Sequence, residues 1–147
     1  MATRHLSRII VVQSLYEWAF MNYEKEKCKE IFERNLQEFG QDIDEPEFGR
    51  SLIAGIMDNL EKIDTILKES IKSLPYEQVP ILEKSILRLA TYELLNESES
   101  TPHKVAINEA IEIAKNFGTS ATAKFINGVL GTVYENILKM KNASKEK

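Results

Sequence analysis

Arg4 and Arg8 stand one helical turn apart near the start of the chain, with His5 beside them. On a helix that spacing projects both guanidinium groups from one side. A guanidinium offers a fixed fork of donors that matches a phosphate, and a helix N-terminus adds backbone donors and the positive end of the dipole. The pattern suits a nucleic-acid backbone, and a merely solvated helix start accounts for it equally well. A second pattern lies in Thr122-Ala123-Lys124-Phe125-Ile126-Asn127-Gly128. Lys124 and Phe125 set a cation beside an aromatic ring, the pair that holds an RNA phosphate and stacks an unpaired base. The alternative is a core Phe125 with a solvated Lys124.

Two further groups read as structural. Gly128 and Gly131 inside a helix cost about 1 kcal/mol each relative to alanine, so the close approach of another backbone is expected there. Asn108 and Glu109 interrupt the apolar run Val105 to Ala110, whose small Ala106 and Ala110 allow close helix packing; polar groups in such a place must find partners on neighbouring helices. Glu93 is given the same role, with Arg88 or Arg50 as its partner.

Catalysis finds no purchase. His5 and His103 fall on separate helices, Cys28 sits on an amphipathic stripe, and neither a glycine-rich phosphate loop nor a nucleophile elbow occurs. Carboxylate pairs such as Glu109 and Glu112 read as a solvated helix face. The expectation is therefore no catalytic residue, no metal ligand set and no cofactor. A single cysteine cannot form an intramolecular disulfide.

Composition limits the partners. The chain has 147 residues, 43% hydrophobic and 29% charged, enough for one domain with a real core. A net charge of −4 argues against a general nucleic-acid coat, so any RNA contact must be local or assisted. Apolar runs such as Ile9 to Val12 fall far short of the roughly 20 residues a bilayer core requires. No secretory signal follows Arg4 and Arg8. The expected location is the cytoplasm, without membrane contact.

The elements that must position these residues all carry helical spacing, and no stretch alternates as a half-buried strand does. The class is all-α. A first helix over about 3–21 carries Ile9, Val12, Tyr16 and Ala19 on one stripe and Val11, Leu15 and Trp18 on another. A second, about 24–39, aligns Cys28, Phe32, Leu36 and Phe39 before Gly40. Pro46 opens a long helix whose Phe48, Leu52, Ile56, Leu60, Ile63, Leu67, Ile71 and Leu74 keep spacing for about seven turns, up to Pro75. After the Pro75 to Pro80 turn comes a central helix with Leu82, Ile86, Leu89 and Ala90 on its face. Thr101 and Pro102 are expected to cap the helix Lys104 to Phe117, stopped by Gly118. A last helix buries Ile126, Val129, Leu130, Val133 and Ile137 and reaches about Met140, with a frayed tail over 141–147. The expected organisation is one domain, with an N-terminal helical subdomain over about 1–75 and a C-terminal one over about 76–140.

Four blocks give the chain a likeness from Arg4 to Tyr134: Gln13-Ser14-Leu15-Tyr16; Ile86 to Leu94; Val105 to Ala110 with Ala114 to Gly118; and Lys124 to Leu130. In these the sequence resembles the NusB family. The resemblance implies two small helical bundles, about six to seven helices, packed at a steep angle. It implies a transcription antitermination factor that binds boxA-type single-stranded nascent rRNA together with the ribosomal protein NusE, within the RNA polymerase antitermination complex. By position, Arg4, His5, Arg8, Lys124 and Phe125 fall where the family meets RNA, and Tyr16, Ile71 and Glu83 near where it meets the partner. Leu6 and Ser7 interrupt an arginine run common in the family, and Gly131 stands where aspartate is frequent. A related domain precedes the catalytic part of certain rRNA cytosine methyltransferases, for which a chain ending at Lys147 leaves no room. The family includes monomers and dimers, so a homodimer stays open. The competing reading is a helical protein–protein adaptor with negligible RNA affinity.

Overall fold

The computed structural model describes residues 2–146, and every regular element among them is helical. The chain forms two compact units, Met1–Leu60 and Glu61–Lys147. No helix of the described residues is long and apolar enough to cross a membrane.

The first unit holds α1 (Ala2–Phe20), α2 (Lys25–Phe39) and α3 (Pro46–Asp58), each packed on the other two. Both expected stripes of α1 contribute to its core, through Val11, Val12, Leu15 and Trp18, while Tyr16 turns to solvent at 41% exposure. The turn after α1 runs through Asn22 at φ 56°, a left-handed conformation that asparagine tolerates. The indole N–H of Trp18 donates to the Glu24 carbonyl at 3.0 Å and fixes the entry to α2. α2 buries Cys28, Ile31, Phe32, Asn35 and Leu36, but Phe39, expected on that stripe, is exposed because it is the last residue of the helix. Asn35 donates to the Ser14 hydroxyl at 3.1 Å, satisfying a buried amide across α1 and α2. Gly49 explains how closely α3 lies on α2: a Cβ there would sit 2.6 Å from the Phe32 ring.

The expected seven-turn helix is broken at Asn59. There the backbone N–H is shared among the carbonyls of Gly55 and Ile56, and the side-chain amide donates to the Gly55 carbonyl at 2.7 Å. That local bonding competes with helix continuation, as asparagine side chains commonly do. A new helix, α4 (Leu60–Ser70), follows and stops before Ile71 rather than at Leu74. The unit boundary falls at this break, so residues 61–75, expected with the N-terminal group, cluster with the C-terminal one.

The second unit continues with a short 3₁₀ turn (Tyr76–Gln78), α5 (Ile81–Leu95), α6 (His103–Phe117) and α7 (Ser120–Glu146). α5, α6 and α7 pack on one another, and Ile86, Leu87, Leu94, Ile113, Ile126 and Leu130 are fully buried. α4 is tied to α5 by the Asp64–Arg88 ion pair and to α7 by Asn136 donating to the Ser70 hydroxyl at 3.0 Å. Arg88 thus pairs with Asp64, and Arg50 with Glu33 and Glu47, while Glu93 is buried in α5. α6 begins at His103 with Pro102 in the cap position, and the Glu97 carboxylate accepts the His103 backbone N–H at 2.9 Å. A carboxylate from the preceding loop therefore does the capping expected of Thr101. α7 runs on to Glu146, past the expected end at Met140, with residues 141–145 exposed. Lys147 lies outside the described residues. Gly128 and Gly131 are exposed, with no atom within 4 Å of a Cβ placed on either, so no backbone packs against them. Asn108 is likewise exposed, on the outer face of α6.

Candidate nucleic-acid interface

In the first unit, the start of α1 meets the start of α3. Phe48 is the meeting point: its ring lies 4.4 Å from the Arg4 guanidinium and 5.0 Å from that of Arg8. Cations over an aromatic face are held by the ring quadrupole. Arg4 also reaches Glu45 at 3.3 Å and keeps part of its side chain in solvent. Arg8 differs. It is 3% exposed, so its charge lies beneath the surface that Arg4 presents. His5 is half-buried. Sequence reading treated Phe48 only as a core position; the signal available was its distance from the arginines, which only the fold supplies.

The far end of α1 has another character. Tyr16 and Phe20, one turn apart, stack with centroids 6.2 Å apart and planes 8° from parallel. Phe20 is 64% exposed, and Met21 and Tyr23 beside it in sequence are exposed as well. Arg34 forks onto both Glu17 oxygens, which holds the Glu17 carboxyl below its ordinary range and raises the guanidinium. An exposed aromatic ridge next to a fixed ion pair is the kind of surface proteins dock on.

In the second unit, the α6–α7 corner sets Lys124. Gly118 is required there: a Cβ would lie 2.7 Å from Thr122. Thr119 and Thr122 cap α7 reciprocally, the Thr119 N–H donating to the Thr122 hydroxyl at 3.1 Å and the Thr122 N–H to the Thr119 hydroxyl at 3.3 Å. The first turn of α7 has no acidic residue. Lys124 is exposed and Phe125 half-buried. Successive helical side chains point about 100° apart, and only Lys124 lines the α6–α7 groove, whose volume is about 490 Å³. Also lining it is Lys115, to which the sequence assigned no site role.

Of the expected partner residues in this unit, Ile71 is buried and Glu83, in the first turn of α5, is half-buried. The same unit holds a charged knot. The Tyr76 hydroxyl donates to Asp64 at 2.7 Å, Arg88 Nε donates to the same oxygen at 2.9 Å, and Lys84 Nζ lies 4.5 Å from the Tyr76 ring centre. Burial pushes the Tyr76 hydroxyl well above its usual range. Burial and then the nearby Arg88 lower the Lys84 ammonium, while burial opposes the Arg88 charge and Asp64 outweighs it, leaving Arg88 raised. A second knot holds α6 to α7: Glu97 also accepts from Tyr134 at 2.8 Å and meets His103 Nδ1 at 2.7 Å, with the His103 and Tyr134 rings stacked at 4.4 Å. The His103 amide first, then its ring and the Tyr134 hydroxyl, bring the Glu97 carboxyl down to about 2.

A further groove of about 510 Å³ between α2 and α3 has Phe32, Ile53 and Met57 among its lining, with the paired Arg50 at its edge and neither histidine nor cysteine. Cys28 is buried.

The sequence profile of the NusB family matches residues 5–135. The chain is 37% identical to the transcription antitermination protein NusB of Chloroflexus aggregans over 97% of its own length and 94% of that protein. The chain belongs to the NusB family of transcription antitermination proteins. The NusB of Bacillus cereus is also 37% identical, over 91% of this chain and 98% of its own. Among solved structures, T. maritima NusB superposes with a TM-score of 0.76 at 32% identity, covering 90% of each chain. A chain of a NusB and NusE complex with dsRNA shares the fold, with a TM-score of 0.80 at 23% identity over 92% of this chain and 98% of that one. The NusB profile spans His5, Arg8, Lys124 and Phe125, with Arg4 one position before it.

Proposed function

We propose that this NusB-family chain is a non-enzymatic RNA-binding antitermination factor that recognises boxA-type nascent rRNA together with the ribosomal protein NusE, in the cytoplasm and within the RNA polymerase antitermination complex. The observation that carries it is the family membership along nearly the whole chain, which includes the Lys124 to Leu130 block with Lys124 open to solvent. Arg4, His5, Lys124 and Phe125 supply the RNA contacts, and Arg8 acts from below by fixing Phe48 under Arg4. By family position, Tyr16, Ile71 and Glu83 lie where the protein partner is met. That a solved NusB of the same fold was crystallised with NusE and dsRNA supports this choice of partners.

The adaptor reading is favoured by one observation, the Tyr16–Phe20 ridge, which suits a protein and not a phosphate. The two separate by experiment. RNA affinity is measured at several salt concentrations, with and without the ribosomal protein, for the parent, Arg4→Ala, Lys124→Ala and Glu83→Lys. Expected are weaker RNA binding and a flatter salt slope for the first two with partner affinity kept, and partner loss first for Glu83→Lys. RNA binding like the parent's in both Arg4→Ala and Lys124→Ala sends the RNA surface elsewhere and leaves the adaptor.

A further inference from the structure

We propose that the α6–α7 groove seats one unpaired nucleotide of the bound RNA, with its phosphate held between Lys115 and Lys124. The inference rests on the RNA-binding reading above and adds to it a second cation and a defined pocket. The groove is lined by Ile111, Lys115, Ser120, Ala123, Lys124 and Asn127. Its size, about 490 Å³, lies within the range of small-ligand clefts. Each part of a nucleotide has a counterpart in that lining. Ile111 and Ala123 give an apolar floor for the base face. The Asn127 amide and the Ser120 hydroxyl can each both donate and accept, which is what a base edge requires. The two lysines answer the phosphate, and neither makes an ion pair within 4 Å among the described residues.

Charge favours a nucleic acid over other occupants. The chain is acidic overall, at −4, yet the six lining residues carry two cations and no carboxylate. An RNA strand must supply the base singly, because bases in a duplex are stacked and their edges occupied, whereas single-stranded segments present splayed bases to protein surfaces. Phe125, turned away from the groove, is then free of the stacking role here; the base lies on aliphatic carbon.

The test uses the full chain with its ribosomal partner and a short fluorescein-labelled single-stranded boxA-type RNA, followed by anisotropy from low to high salt. Lys115→Gln removes one phosphate contact, so the slope of log affinity against log salt flattens by about 0.7, which corresponds to about a fivefold loss at 0.1 M relative to 1 M salt. Ser120→Glu sets a carboxylate at the groove mouth while improving the start of α7, so its loss of RNA binding cannot come from unfolding. Circular dichroism melts of both variants confirm the fold. If Lys124→Gln and Arg4→Ala weaken RNA binding but Lys115→Gln and Ser120→Glu match the parent, the groove proposal is overturned and the RNA-binding reading stands. If none of the four changes RNA binding, the reading itself falls and the groove with it. Equal losses on a fully paired duplex of the same sequence show a general phosphate contact and overturn the unpaired-nucleotide assignment.

Discussion

Replacing Asp64 with alanine strikes the knot that joins α4, the 3₁₀ turn and α5. Asp64 accepts from Arg88 at 2.9 and 3.2 Å and from the Tyr76 hydroxyl at 2.7 Å. Arg88 is buried, at 8% exposure. Removing one member of a buried pair costs about 3–5 kcal/mol, because the other charge stays buried and loses that partner. The Asp64 side chain is itself 22% exposed, so water reaches part of the space it leaves, which places the loss at the lower end. The stranded Tyr76 hydroxyl adds about 1 kcal/mol. The sum, about 3–4 kcal/mol, lowers the melting temperature by roughly 10 °C for a chain of this size. Asp64→Asn keeps an oxygen acceptor and loses the charge, and should fall between. Urea and thermal unfolding followed by circular dichroism measure all three proteins. A melting temperature for Asp64→Ala within about 2 °C of the parent, where less than about 1 kcal/mol is lost, refutes the claim that this pair holds α4 in place.

Other expectations follow from the same geometry. Glu97 has a folded value near 2 against 4.5 unperturbed, so its contribution to stability is complete above about pH 4.5 and disappears as pH falls toward 2; Glu97→Gln should flatten the pH dependence of unfolding in that window, and an unchanged profile counts against the His103–Tyr134 knot. Leu130, fully buried in α7, should cost about 2–5 kcal/mol when truncated to alanine, read as a shift of the urea midpoint. Arg8→Ala should lower stability as well as RNA affinity because Arg8 is buried against Phe48, whereas Arg4→Ala should lower RNA affinity with little change in melting. Phe20→Ser should leave the melt nearly unchanged, since Phe20 is mostly exposed, and weaken binding of the ribosomal protein in a pull-down.

Helical class and most helix positions were legible because apolar spacing, Pro46 and Gly118 are local signals that the fold respects. The Asn59 break was not, since the apolar stripe from Phe48 to Ile71 runs through it without a change of phase, and one asparagine amide decides against continuity. The cap of α6 was misplaced for a similar reason: Thr101-Pro102 is a good local cap, but Glu97 reaches the His103 N–H through a loop that no spacing rule traces. For the candidate site, residue types were visible and their directions were not. Adjacent Lys124 and Phe125 looked like one cation–ring pair, yet the helix turns them to different surroundings. Arg4 and Arg8 do share a side, and Phe48, from α3, decides that one faces solvent while the other is buried. Lys115 stands in the Ala114 to Gly118 block without a role assigned to it; only the packing of α6 on α7 brings it to the groove.

The most direct measurement is a titration of the unmodified full chain against boxA-type single-stranded RNA, alone and with the ribosomal protein, from low to high salt. With few cations at the proposed RNA surface of an acidic chain, binding alone should be weak and only shallowly salt-dependent, and the partner, by joining a second modest site to the first, should raise affinity at least about tenfold. Absence of saturable RNA binding in both conditions, with the ribosomal protein still bound, would contradict the account and leave a protein adaptor in its place.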